Sequence, residues 1–288
     1  LVIDLSLVIP AFNEADRLPP YLRAIRDYLP GAALNGFEVI VVDDGSTDDT
    51  AGVVARSFAD WPDLRVLRRS PNRGKGAAVR YGVLAAGGEF ILVTDADGAT
   101  PIEEESKLRV AIGRGADLAV GSRMLKSPGV DRNRRWHREL SGRAFAWIAG
   151  TLLSLTVRDP QCGFKMLRRN VAVRLARRCR ERGYLLDAEL LALAQSLGYR
   201  ISEVAVSWRE VPGSKLRLAR DAWAMLRGLR RIRNSIRSAG PSDGAMGEPC
   251  DDPCAIDVTT GDAEGLGGGG ACARLSASPR PAKAEPPH

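Results

Sequence analysis

The sequence predicts an α/β fold: a mostly parallel sheet with helices packed on both of its faces. Two observations carry that prediction. Short β-branched runs alternate along the first 123 residues with longer amphipathic stretches. The runs are apolar at nearly every position rather than at every second one, as in strands covered on both faces. A third observation narrows the function. Polar and acidic residues follow the runs directly, and ligands of such sheets bind outside the carboxyl ends of the strands.

Taken in order, strands are expected at LSLVIP (5–10), FEVIVVDD (37–44), LRVLRR (64–69), FILVTDAD (90–97) and ADLAVGSR (116–123). Between them, Asp16–Tyr28, Asp48–Phe58, Lys75–Ala86 and Ile102–Gly113 have the composition and length of crossover helices. Ala144–Val157 is the longest uncharged, mostly apolar run. It has the length of a core or interfacial helix and falls short of the roughly 18 residues of a membrane span. In the segment 213–238, Leu218, Ala222, Met225, Leu229, Ile232 and Ile236 recur at alternating spacings of four and three, with Trp223 and Leu226 beside them. That is an amphipathic C-terminal helix with an Arg-rich opposite face, suited to an anionic membrane surface; packing on the body with solvated arginines is the alternative. From 239 to 288 the chain holds nine Gly and seven Pro and few large apolar residues, the composition of a disordered tail. The expected division is therefore a catalytic domain at 1–212, a basic helical segment at 213–238 and the tail at 239–288.

Charge follows the same division. The 288 residues carry 42 Lys plus Arg against 35 Asp plus Glu, a balance of +7. The tail contributes −5, so the body carries +12, of which 213–238 holds +7. Only two histidines, His137 and His288, are present, which leaves little material for multi-histidine metal sites or Ser-His-Asp triads. Five cysteines, an odd number without paired CxxC spacing, fit neither a disulfide framework nor a zinc ribbon and suggest a reducing, intracellular setting. Leu1–Ile9 carries Asp4 and neither a basic leader nor a small-residue cleavage site, so it does not read as a signal peptide. The opening on Leu rather than Met leaves room for an N-terminal anchor upstream.

Three expected strands deliver five carboxylates to one sheet edge: Glu14, then Asp43 and Asp44, then Asp95 and Asp97. Like charges at that density raise one another's pKa, so a compensating cation or hydrogen-bond donors are expected. Asp95 and Asp97, two residues apart, suit a divalent metal with oxygen ligands; for any single Asp, capping of the following helix is the alternative. Asn72-Arg73-Gly74-Lys75-Gly76 precedes a helix and combines close backbone approach, a helix N-terminus and two cations. It has neither the Walker A nor the dinucleotide-fold spacing. Beside an acidic metal cleft it points to a nucleotide diphosphate.

In order, VIPAFNE, VVDDGSTD, NRGKGAAVRYG, DADGATP, GSR, DPQCGFK, LLDAELL and VPGSKL span about three quarters of the chain. This row resembles the family 2 glycosyltransferases of the polyprenyl-phosphate sugar synthase branch, and most of all the dolichyl-phosphate β-glucosyltransferases. The resemblance implies a GT-A type, Rossmann-like fold, a nucleotide-sugar donor, a divalent metal (Mg2+ or Mn2+) and a lipid phosphate acceptor. By the same resemblance Pro10, Phe12 and Glu14 frame the nucleotide, with Phe12 in place of the family's usual Tyr. Asp43 and Asp44 face the base and ribose, Arg73, Lys75 and Ala96 join the donor site, and Asp95 and Asp97 hold metal and diphosphate. Some relatives carry a Gln ligand where this chain has Ala99. Arg123, Arg209 and Lys215 match phosphate contacts, and Arg138 and Ser141 join Arg123 and Lys215 in the acceptor set.

The implied chemistry suits the shortage of histidine. A phosphate monoester has a second pKa of about 6 and is already an anion, so it needs no general base to attack an anomeric carbon with inversion. Asp187 and Glu189 are candidates for sugar or acceptor contacts, with a helix N-terminal role open for Asp187. The basic stretch 131–138 reads as arginines for a lipid phosphate ahead of an apolar helix for the prenyl chain, or as a solvated loop before a core helix. UDP-glucose is the expected donor, GDP-mannose or another nucleotide sugar the nearest competitor, and the cytoplasmic face of a membrane the expected place. Nucleic acid is not an expected partner: aromatics are only 6% of residues and the acidic edge repels phosphates without a metal. A nucleotidyltransferase on a similar sheet would have no use for the apolar run after the arginines.

Overall fold

The computed structural model describes residues 3–125, 127, 132–133, 136–211, 218–239 and 256–257. The elements run β1 (Leu5–Ala11), α1 (Leu18–Tyr28), β2 (Phe37–Asp43), α2 (Thr50–Ser57), β3 (Leu64–Arg68), α3 (Lys75–Ala85), β4 (Phe90–Val93), α4 (Glu105–Gly113) and β5 (Leu118–Ser122). They continue with β6 (Arg132–Asn133), α5 (Trp136–Leu153), β7 (Lys165–Arg168), α6 (Arg169–Arg178), α7 (Leu186–Ser196), β8 (Ile201–Ala205), β9 (Trp208–Arg209), α8 (Leu218–Ala239) and β10 (Ile256–Asp257). All five expected strands and all four expected crossover helices form, with ends displaced by up to four residues.

The main sheet has the order β10-β3-β2-β1-β4-β7-β5-β8. Strands β3, β2, β1 and β4 are parallel neighbours, with Leu7 opposite Val39 and Leu92. Strand β7 lies antiparallel between β4 and β5, and β8 lies parallel to β5. The carboxyl ends of β1, β2, β4, β5 and β8 and the start of β7 therefore meet at one edge. Fully buried side chains such as Leu7, Val8, Ile40, Val41 and Leu92 form the core on both faces of the sheet. Gly82 of α3 has no Cβ because Val8 and Val42 occupy that space, with the nearest methyl carbon at 2.4 Å from where it would lie.

A second, smaller core joins α5, α7 and α8 through Phe145, Ala149, Ala188, Ala192, Met225, Leu229 and Ile232. The described part of the α8 stripe is thus spent on the body. That corrects the expectation that the stripe itself faces a membrane: the packed alternative holds, and the face left outside is the Arg-rich one. Helix α5 begins at Trp136, eight residues before the apolar run, so the end of the basic stretch is helix rather than loop. Of the tail, Ile256–Asp257 adds a short antiparallel strand to β3; residues 240–255 and 258–288 lie outside the described residues. No described helix is long and apolar enough to cross a membrane.

Candidate active site

The sheet edge opens into a cleft of about 500 Å³ lined by residues at and beyond the strand ends: Pro10 at the end of β1, Phe12 and Glu14 after it, Asp44 after β2, Lys75 at the head of α3, Asp95, Ala96 and Asp97 after β4, and Arg123 after β5. Nine of the expected site residues are thereby brought together. Glu14 is held by a two-pronged ion pair from Arg17, at 2.7 and 2.6 Å, and its backbone N–H donates to Thr50 Oγ1 at 2.8 Å.

Asp43 and Asp44 separate into different roles. Asp43 is fully buried and does not line the cleft. Its Oδ1 accepts from the Ser46 backbone N–H at 2.9 Å and from the Ser46 hydroxyl, and Arg68 Nε lies 3.4 Å from Oδ2. Asp44 does line the cleft, and its carboxylate accepts the backbone N–H groups of Arg73 at 3.2 Å and Gly74 at 2.6 Å. Burial pushes its pKa up against those donors. Beyond Lys75, the Arg182 carbonyl takes the N–H groups of Gly76 at 2.7 Å and Ala77 at 3.2 Å. This narrows what the Asn72–Gly76 loop can offer a phosphate through its backbone: the Arg73, Gly74 and Gly76 amides are committed to protein acceptors. The loop meets the cleft through Asn72, Gly74 and Lys75.

Lys75 links two carboxylates. Its Nζ lies 2.6 Å from Asp95 Oδ1 and 3.5 Å from Asp187 Oδ2. Burial alone would lower the Lys75 pKa, but Asp95 and Asp187 outweigh it and the ammonium is held charged. Asp187, in the first turn of α7, also accepts from the buried Lys165 at 2.6 Å. Burial would raise the Asp187 pKa; the two lysines reverse this and hold it down. Lys165 also donates to the Cys162 carbonyl. Asp97 accepts the Ala99 N–H at 3.1 Å, and burial, reinforced by Asp95, pushes its pKa up.

Gly163 of the DPQCGFK motif explains how Asp95 reaches the edge. A Cβ on Gly163 would lie 2.2 Å from Asp95 Oδ2 and 2.6 Å from its Cγ, so the carboxylate occupies space that any other residue would fill. Hard oxygen donors in such a cradle fit a divalent cation. Among the described residues no group of three or more His, Cys, Asp or Glu gathers as metal ligands, and Ala99 adds no donor. A cation held by Asp95 and Asp97 would need further oxygens from a bound ligand.

Arg123 is fixed in a buried network. Its Nε and Nη2 donate to Asp159 at 2.7 and 2.8 Å, and its backbone N–H donates to the same carboxylate at 3.0 Å. Its guanidinium lies 5.8 Å from the Trp208 ring centroid. Burial would raise the Asp159 pKa, but the Arg123 charge and hydrogen bonds hold it low. Burial pushes the Cys162 thiol up to about 11, which keeps it neutral.

The remaining expected residues stand apart. Arg73 and Arg209 have exposed side chains outside the cleft lining; the Arg209 N–H donates to the Ala99 carbonyl at 2.8 Å. Glu189 is buried away from the cleft, receiving the N–H groups of Arg180 and Glu181. Lys215 and the side chains of Arg138 and Ser141 lie outside the described residues. Arg17, Gln161, Tyr184, Trp208 and Glu210 line the cleft without having been singled out. Gln161, inside DPQCGFK, and Trp208, ahead of VPGSKL, carried a usable signal.

Residues 6–175 match the family model "Glycosyl transferase family 2". The chain is 38% identical over 226 residues to the dolichyl-phosphate beta-glucosyltransferase of Drosophila melanogaster, covering 74% of this chain and 69% of that protein. It is 36% identical over 225 residues to the Homo sapiens protein of the same name, with the same coverage. Among solved structures it resembles glucosyl-3-phosphoglycerate synthase from Mycobacterium tuberculosis in complex with UDP, with TM-score 0.60, 25% identity and coverage of 84% and 82% of the two chains. A complex of that synthase with Mn2+, UDP and glucosyl-3-phosphoglycerate gives TM-score 0.59, with the same identity and coverage. A sheet edge that gathers carboxylates and cations in one cleft, on a GT-A-like fold whose sequence matches over more than half its length, makes this chain a glycosyltransferase of family 2.

Proposed function

We propose that this chain transfers glucose from UDP-glucose to a polyprenyl phosphate of the dolichyl type, with inversion at the anomeric carbon, while attached peripherally to the cytoplasmic face of a membrane. The observation that carries the reading is the pairing within one cleft of Asp95 and Asp97 with Lys75 and Arg123. Two phosphate-bearing substrates repel each other, and that charge pattern is what brings them together. The curated relatives' names supply the sugar and the lipid phosphate, and UDP in the structural neighbour supports the nucleotide.

In the reaction an acceptor phosphate oxygen forms a bond to the anomeric carbon as the bond to the diphosphate oxygen breaks, its electron pair leaving with UDP. No base is required, and no histidine lines the described cleft. Asp95 and Asp97 would hold a divalent metal, Mn2+ or Mg2+, which would supply charge neutralisation to the leaving diphosphate. Lys75 adds a second cation on the donor side. With Nε and Nη2 committed to Asp159, Arg123 meets a phosphate through Nη1, and Arg138, Ser141 and Lys215 complete the acceptor set. Pro10, Phe12, Glu14 and Asp44 frame the nucleotide, with Asp43 supporting the turn beneath them.

The membrane part of the reading rests on what α8 leaves outside. Trp223, Arg227, Arg230 and Arg237 share the exposed face at helical spacing, and Trp223 is 64% and Trp147 of α5 72% exposed. Tryptophan among arginines suits an anionic lipid interface. The buried free thiols Cys162 and Cys179 agree with a reducing side.

Turnover of a panel of nucleotide sugars with a short polyprenyl phosphate tests the function. UDP-glucose is expected to give β-linked polyprenyl-phosphate glucose. A product from GDP-mannose alone would replace the donor assignment, and no product from any donor would refute the reading.

A further inference from the structure

Four side chains form an alternating chain of charges from the core to the cleft: Lys165, Asp187, Lys75 and Asp95. Lys165 is 2% exposed and is anchored at its inner end by the Cys162 carbonyl. It holds Asp187 Oδ1 at 2.6 Å. The other Asp187 oxygen lies 3.5 Å from Lys75 Nζ, whose tighter contact, 2.6 Å, is with Asp95. Asp95 is the outermost member, with 44% of its side chain exposed. The Lys75 ammonium therefore touches the carboxylate that a metal also needs, with a second carboxylate already in place behind it.

We infer that Lys75 is a placeholder cation for the metal site, displaced from Asp95 when a divalent ion binds and received by Asp187, which Lys165 holds in position. The inference rests on the assignment of Asp95 and Asp97 as metal ligands. The geometry accounts for the asymmetry of the chain. Lys165 satisfies one Asp187 oxygen permanently, which leaves the other as a seat 3.5 Å from the ammonium. A lysine is suited to this exchange because its stem is flexible and its charge compact. Asp187 and Lys165 act as positioning residues, through Lys75.

The test is Mn2+ binding to the full-length protein in the presence of UDP, with a protein-free Mn2+–UDP blank subtracted, read by electron paramagnetic resonance of the free ion, so that it is independent of glucose transfer. Lys75→Met removes the competitor and leaves Asp187 paired with Lys165; it is expected to tighten Mn2+ binding at least about tenfold, roughly 1.4 kcal/mol. Asp187→Asn removes the seat, confines Lys75 to Asp95 and is expected to weaken Mn2+ binding. A merely structural role would weaken binding in both variants. Unchanged or weaker binding in Lys75→Met, with the melting temperature retained, overturns the inference, as does failure of both wild type and Lys75→Met to bind Mn2+. A gain that disappears at about 0.5 M KCl, where charges at a distance are screened, would make Lys75 a remote field rather than a contact competitor and would also overturn it. Because Asp187→Asn leaves Lys165 buried beside a neutral partner, its melt is recorded as well; if it does not fold, the Lys75→Met comparison decides. If transfer from UDP-glucose fails while Lys75→Met still tightens Mn2+ binding, the donor assignment falls and the placeholder stands.

Discussion

Gly163→Ala separates the site from the scaffold. The added Cβ would lie 2.2 Å from Asp95 Oδ2, whereas ordinary contact begins at 3.4 Å. The atom it meets is the end of a side chain, so the carboxylate can retreat and the fold need not. A retreat of about 1 Å is the scale of misplacement that costs roughly 100-fold in rate, about 2.7 kcal/mol of barrier. The expected result is a fall of that order in kcat/KM for glucosyl transfer with the melting temperature nearly unchanged. Gly88→Ala provides the contrast, because its Cβ would meet the backbone nitrogen of Ser6 at 2.7 Å, far from the cleft. A backbone atom within a strand cannot swing away, so the cost falls on stability. Full activity in Gly163→Ala would refute the placement of the Asp95 carboxylate at the reaction centre. Equal loss of stability in both variants would refute the distinction between them.

Other predictions follow from named contacts. Asp159→Asn breaks a buried ion pair in which the carboxylate is 1% exposed; such losses cost about 3–5 kcal/mol, read by urea unfolding at pH 7. Because the folded pKa of Asp159 is lowered, its contribution is fully present above the unfolded value of about 3.9 and is lost as pH falls through the folded one. The wild-type advantage should hold at pH 5 to 8 and fade in the acid range below about 4. Asp97→Ala is expected to abolish transfer, and unchanged turnover would sink the metal assignment. Charge reversal at Arg227 and Arg230 should reduce co-sedimentation with vesicles containing anionic lipid and leave neutral vesicles unaffected. Removal of 241–288 should leave turnover nearly unchanged; a drop to background would give that segment a role in the enzyme.

The first 123 residues were legible because buried parallel strands leave continuous apolar runs, and because their carboxyl ends announce the site. Strand β7 was not legible for the opposite reason. Its sequence KMLR begins with a lysine that looks solvated, and its ion pair with Asp187 and hydrogen bond to the Cys162 carbonyl compensate its burial. Strand β8 sits at the sheet edge with every residue half-buried, which blunts the apolar signal. In the site, single residues such as Asp44 and Lys75 could be picked from their positions after strands or before a helix. The partners Asp159, Lys165 and Asp187 are distant in sequence, and their pairing emerges only when β7 is inserted between β4 and β5. The α8 stripe shows a further limit: periodicity reveals that a face is apolar, not whether protein or lipid covers it.

The antiparallel insertion of β7 has a modular consequence. On the proposed reading it divides the sheet into a donor half, whose strands lead to Asp44, Asp95 and Asp97, and an acceptor half, whose strands lead to Arg123 and, beyond β8, Trp208. The two halves stand two strand spacings apart, about 10 Å, and the 159–164 loop rises through the seam between them. Divergence on the far side of that seam can change what receives the sugar without disturbing what delivers it. A soluble phosphoglycerate in the structural neighbour and a lipid phosphate in the curated relatives are two outcomes that such a joint permits.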